Sequence, residues 1–148
     1  MTEYSDIYEQ FLLRVSQYSF YDNSIEDREK ILNFYLKQAC VRLNPYCEED
    51  LYDYNDDLEC FNIELSNEII YLLVENMALV WLKTQRDSEE NTKNMLGTAD
   101  YSAFSPANLL TSLRKAYSEA DKEVAELMNE HSLRNLDTNK LMEVLNNE

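Results

Sequence analysis

The sequence predicts a mainly α protein: a bundle of about four helices with an acidic central loop, a long C-terminal helix and one short β element. Three observations point there. One glycine and two prolines in 148 residues are too few for the turns of a β or α/β chain. Apolar residues recur at spacings of three and four through most of the chain. The length suits one domain able to bury a real core. The same scarcity of glycine excludes phosphate loops and dinucleotide fingerprints, which need several glycines for close backbone approach.

In chain order, Thr2 to about Tyr18 reads as an amphipathic helix, with Tyr4, Ile7, Tyr8, Phe11, Val15 and Tyr18 on one face. Ser24 opens a capping box with Asp27, and a second helix is expected from Ile25 to about Leu43. Ile31, Phe34, Tyr35, Gln38 and Val41 mark one edge of its inner face; Leu36, Ala39, Cys40 and Leu43 mark the other. Asn44-Pro45 ends it, because the residue before proline is pushed out of the α region. An acidic loop follows, with a short helix near Asp50 and a brief strand in Phe61–Leu65, where Phe61, Ile63 and Leu65 alternate with polar residues.

Ser66 to Lys83 is the most apolar stretch and holds the single tryptophan, Trp81. With Ser66 or Asn67 as cap it predicts a central helix of about 16 residues, roughly 24 Å long. It is too short for a membrane span, and Glu75 and Asn76 fall in its middle. At about 100° per residue Glu68, Glu75, Asn76 and Lys83 share a stripe with Leu72 and Leu79. Those two leucines are covered either by another helix of the chain or by another subunit. QRDSEEN then reads as a turn, residues 89–96 as a short helix closed by Gly97, and TADYSAF as an irregular segment anchored by Tyr101 and Phe104. Ser105-Pro106 opens the last long helix, expected to reach about Leu133, with an interruption near Asp137 and a weaker terminal turn at Leu141, Val144 and Leu145. The expected organisation is a helical domain over 1–134 and a tail or short helix over 135–148.

Thirteen basic residues against 29 acids give a net charge of −16, which should repel nucleic acid. Ten of those acids lie between Arg42 and Lys83, an interval without lysine or arginine. At 45% apolar the chain is too hydrophobic for the acidity to mean disorder. Cys40, Cys47 and Cys60, an odd count without Cys-x-x-Cys, suggest free thiols in a reducing cytoplasm and neither a disulfide frame nor a zinc site. MTEYSDIYEQ has no basic or apolar region of the kind a signal peptide carries.

Catalysis finds no foothold. Nothing singles out one carboxylate pair among the acids, and His131, the only histidine, reads as a core or interface residue. Asp53 to Glu64 partly matches a calcium loop through Asp53, Asn55, Asp57, Glu59 and Glu64, but Leu58 stands where the glycine belongs. The expectation is a solvated acidic loop, with no metal, cofactor or catalytic residue.

One family resemblance is carried by the run FNIELSNEIIYLLVENMALVWLK and the QRDSEENTKNMLGTADYSAFSPANLLTSLRK that follows. Its signature positions are Phe61, Asn62, Met77, Trp81, Leu82, Lys93, Met95, Gly97, Asp100, Tyr101, Phe104, Ser105, Ala107 and Asn108. Over roughly residues 58 to 120 the chain resembles small head–tail connector (neck adaptor) proteins of tailed bacteriophages. The resemblance implies a largely helical, non-enzymatic virion protein, made in the host cytoplasm. It implies a homo-oligomeric ring, commonly of twelve copies, between the portal protein and a downstream tail or stopper protein. DNA would pass through without specific binding, and no membrane is involved. Leu72, Leu79, Tyr101 and Phe104 are then the candidate subunit interface. Glu48, Glu49, Asp50, Asp53, Asp56, Asp57 and Glu59 are the candidate acidic channel or partner surface. The alternative from another class is an acidic DNA mimic that inhibits a host nucleic-acid enzyme. A mimic wants acids spaced along a helix face, whereas these crowd one loop.

Overall fold

Ser66 caps the longest buried element of the chain: its side chain accepts from Ile69 N at 3.3 Å, and a helix runs on from there. A computed structural model describes residues 1–15, 24–104 and 108–147, with side chains outside 102–104 and 135–141. Its elements are β1 (Thr2–Glu3), α1 (Tyr4–Val15), α2 (Ile25–Leu43), a 3₁₀ turn (Asn44–Tyr46), β2 (Tyr54–Asn55), β3 (Cys60–Phe61), α3 (Asn67–Leu96), α4 (Thr98–Phe104) and α5 (Leu109–Asn146). The fold is mainly α with a small sheet. No helix among the described residues is long and apolar enough to cross a membrane.

The predicted second helix has the expected ends, with Ser24 Oγ accepting from Asp27 N at 3.2 Å. The first helix starts two residues late because Thr2 and Glu3 pair with Phe61 and Cys60 in an antiparallel sheet of order β1-β3-β2. Its expected end at Tyr18 lies outside the described residues. No helix forms near Asp50; the chain instead turns into a hairpin whose Tyr54 and Asn55 face Phe61 and Cys60. The strand predicted within Phe61–Leu65 therefore reduces to Cys60–Phe61, since Thr2 Oγ1, and not a strand partner, accepts the buried Leu65 N–H at 2.9 Å.

The larger departure is α3. It has 30 residues where a helix of about 16 and a turn were expected, and QRDSEEN is helical. Polarity alone does not end a helix when no glycine or proline is present and the side chains find partners. Thr84 and Thr92 hydroxyls donate back to Val80 O and Ser88 O at 3.0 and 2.9 Å. Arg86 bonds Asp87 at 2.9 Å and lies 4.3 Å over the Tyr117 ring of α5. Arg114 Nε donates to Glu90 at 2.8 Å. The helix ends at Gly97, whose φ of 77° and ψ of 164° belong to a region that is essentially glycine's own. TADYSAF, expected to be irregular, is α4.

Helix α5 spans 38 residues, about 57 Å, and its backbone passes Asp137 without a break. Asp, Thr and Asn are weak helix formers, but without glycine or proline they do not stop one. The expected split at 134/135 thus has no counterpart in the backbone. The helix runs from Leu109, with Asn108 before it in a left-handed conformation; the expected start at Ser105-Pro106 lies outside the described residues.

Helix α3 is the axis of the core and packs against α1, α2, α4 and α5. Its antiparallel partner α5 meets it at Glu68 with Arg134, at Asn76 with Met128 and at Glu90 with Arg114. One continuous cluster joins Tyr4, Ile7 and Phe11 of α1 to Leu36 and Leu43 of α2, to Leu51 and Phe61 of the hairpin, and to Val124 and Met128 of α5.

Candidate functional site

The predicted interface leucines are core residues. Leu72 is 2% exposed and Leu79 3% exposed in the isolated chain. They share their stripe with Asn76, whose amide donates to Leu72 O at 2.8 Å and to Met128 Sδ at 3.6 Å. That places α5 of the same chain over the stripe, which corrects their assignment to a subunit contact. The two acids of the stripe, Glu75 and Glu68, are matched in the same way. Arg14 of α1 bonds Glu75 at 3.0 Å, and Arg134 of α5 bonds Glu68. Tyr101 is buried, and its hydroxyl donates to Glu89 at 2.8 Å, so it clips α4 to α3 rather than facing a partner. The Phe104 side chain lies outside the described residues.

Two grooves flank α3. One, of about 400 Å³, is lined by Arg14, Tyr71, Glu75, Leu82 and Leu127, between α1 and α5. The other, of about 390 Å³, is lined by Phe34, Val41, Val80, Thr84 and Tyr117, between α2 and α5. At about 100° per residue, Tyr71, Ala78 and Leu82 of the first groove lie on the α3 face opposite Val80, Thr84 and Asp87 of the second. Leu79 lines both grooves from beneath. Phe34 and Val41, expected at the edge of the inner face of α2, are instead 55% and 58% exposed on the rim of the second groove. The period of α2 is correct, but its inner face is narrower than the apolar pattern suggests: Leu32, Tyr35, Leu36, Ala39, Cys40 and Leu43 are buried, while Phe34 and Val41 beside them stay open.

The acidic segment divides into acids that face water and acids that hold the fold. Glu48, Asp50, Asp53, Asp57 and Glu59 are exposed. Asp53 nonetheless accepts from Asn62 at 2.8 Å, and Asp50 from Tyr52 N at 3.0 Å. Asp56 is a clamp. It accepts from Lys37 Nζ at 2.6 Å and from the Tyr4 hydroxyl at 2.9 Å, and the Lys37 hydrogen bond, followed by that of Tyr4, holds its carboxyl below the usual aspartate value. Lys37 also lies 3.0 Å over the Tyr54 ring. Burial, with Asp56 adding, pushes the Tyr4 phenol well above its ordinary value. Lys37 has no signal in the sequence, because it sits one helix away from the acids it anchors.

The calcium-loop reading finds its would-be ligands dispersed. Asn55 Oδ1 accepts from Asp57 N and Leu58 N in the hairpin turn, and Glu64 pairs with the Met1 amino group at 3.1 Å. The positive φ that a calcium loop needs at position 58 occurs at Glu59 instead, φ 50°.

A different set of donors converges at the other end of the acidic segment. Ligand atoms of Cys47, Glu49 and His131 all lie within 4.8 Å of one another. Cys47 follows the 3₁₀ turn, Glu49 opens the loop, and His131 comes from α5 and is 5% exposed. Glu49 Oε2 is closed off from solvent and has no hydrogen-bond partner. Burial, reinforced by Glu49 and Glu68, pushes the Cys47 thiol up to about 12. Glu68 Oε1 stands 3.1 Å from His131 Nδ1. Sequence reasoning missed this cluster because its members are separated by the hairpin, α3 and most of α5; the Cys-x-Glu spacing at 47 and 49 is its only local trace.

No family model matches the chain, and neither the curated proteins nor the solved structures give a significant match.

Proposed function

We propose that this protein is a structural subunit of a phage neck, a ring between portal and tail that extends the DNA channel and carries no catalysis. The observation that carries the reading is the pair of unlike grooves on opposite faces of α3. A ring subunit meets its neighbours head to tail, so it needs two different lateral surfaces that close by rotation. Exposed Phe34 and Val41 supply apolar contact on one of them, and exposed Tyr71 supplies it on the other. The connector-like run over residues 58–120 supports the same reading. The outward acids of the hairpin suit a wall that repels DNA phosphates. The split of the acids disfavours a DNA mimic, since Glu49 Oε2 is closed off from solvent and Asp56 is paired with Lys37 of its own chain.

The test is assembly on the portal protein encoded in the same genome, viewed by electron microscopy. Rings seated on the portal are expected from the wild-type chain. Phe34→Glu should leave the melting curve of the free chain unchanged and prevent rings. A folded chain that never docks on the portal would sink the neck assignment. Intact rings of a folded Phe34→Glu variant would sink the assignment of this groove to the subunit contact.

A further inference from the structure

We infer that Cys47, Glu49 and His131 bind one divalent transition-metal ion of the zinc class, which staples the loop after the 3₁₀ turn to helix α5. The inference goes beyond the neck reading and does not rest on it.

Geometry comes first. Bonds from zinc to sulfur, nitrogen and oxygen of about 2.0–2.3 Å put neighbouring donors about 3.5 Å apart in a tetrahedron. Donors already within 4.8 Å reach that spacing by side-chain rotation of about 1 Å. Glu49 Oε2 is the second observation. A carboxylate oxygen shut away from water without a donor is costly, and a cation at the cluster is the partner it lacks. The third is Glu68. Its carboxylate lies 3.1 Å from His131 Nδ1 and is held in turn by Arg134. A carboxylate on one ring nitrogen of a ligating histidine fixes the ring and raises its basicity.

The donor set selects the ion. Thiolate with imidazole favours zinc or cobalt over calcium or magnesium, which take oxygen ligands. On binding, Cys47 gives up its thiol hydrogen bond to Leu43 O, 3.5 Å long, and releases its proton to solvent. One thiolate and one carboxylate then balance the two positive charges, with neutral imidazole as the third ligand. The fourth position is left to water.

The full chain, stripped with a chelator under reducing conditions, should be titrated with Co²⁺. One equivalent should bind, with the absorption of a tetrahedral site and a thiolate charge-transfer band, and Zn²⁺ should displace it. Zn²⁺ should also raise the thermal midpoint, because the ion binds the folded site. Cys47→Ser should lose the charge-transfer band, while Cys60→Ala keeps it. Glu68→Gln should weaken Co²⁺ binding about 10- to 100-fold. A chain that gives no thiolate band at saturating Co²⁺ overturns the inference. So does a band that survives in Cys47→Ser, or a midpoint that Zn²⁺ leaves unmoved.

Discussion

The α3–α5 pair and the acidic hairpin share one core but are held in place by different means. The helix pair is held by a repeating pattern: Leu72, Leu79, Val124 and Met128 recur at helical spacing, and many small burials add up along its length. The hairpin contributes few buried apolar residues, chiefly Leu51, Cys60 and Phe61. It is tied down by single polar clamps from distant elements. Thr2 accepts Leu65 N, Asn44 accepts Leu51 N at 2.9 Å, and Lys37 grips Asp56. A distributed contact tolerates loss of any one member on the surface but not in the centre. A clamped segment depends on each clamp, and some clamps depend on pH.

The largest expected effect tests the centre of the pair. Leu79→Glu should cost more than about 4 kcal/mol, since it removes a buried leucine and buries a charge. Equilibrium unfolding in urea checks it, and a chain that remains folded with unchanged midpoint would return Leu79 to the list of partner contacts.

A clamp should cost less. Thr2→Ala leaves the buried Leu65 N–H without an acceptor, at about 1–3 kcal/mol. Hydrogen exchange should report the loss locally, at Leu65 and the β1–β3 pairs, with α3 and α5 protected. Uniform loss of protection would mean that the hairpin and the helix pair unfold as one unit, and the contrast between them would fall.

The smallest effect carries the pH dependence. The Asp56 carboxyl is 57% exposed, so solvent screens it, and Asp56→Asn should cost at most about 1 kcal/mol at neutral pH. Its folded value lies below its ordinary value, so its contribution is fully present above about pH 3.9. It is lost as the pH falls through the lowered folded value. Wild type and Asp56→Asn should therefore differ at pH 7 and converge in acid. Unfolding curves that stay a constant distance apart across that range would remove Asp56 as a pH-sensitive clamp.

Much of this architecture is legible in the residues because helix signals are local. Ser24 and Ser66 cap where their side chains can reach the first turn, Asn44-Pro45 closes α2, and Gly97 sits where only glycine is comfortable. The stripe of Glu68, Leu72, Glu75, Asn76 and Leu79 on α3 is likewise a matter of spacing. Illegible stretches are those where local composition and long-range partners disagree. QRDSEEN reads as a turn and is helix because Tyr117 and Arg114 of α5 give its charged side chains partners. The segment near Asp50 has helix-compatible residues but follows the hairpin, because β1 supplies a strand from the far end of the chain.

The sequence by itself determined the class of the fold, the caps and stops of its helices, the apolar stripe of α3 and the concentration of acid before it. All of these follow from the chemistry of residues within a turn or two of one another. Only the tertiary structure decided which faces remain open. It put α5 over Leu72 and Leu79, left Phe34 and Val41 on a groove, turned Asp56 onto Lys37, and brought Cys47 and Glu49 to His131. Those outcomes depend on contacts between residues far apart in the chain, whose closure is favourable only when the whole core forms at once.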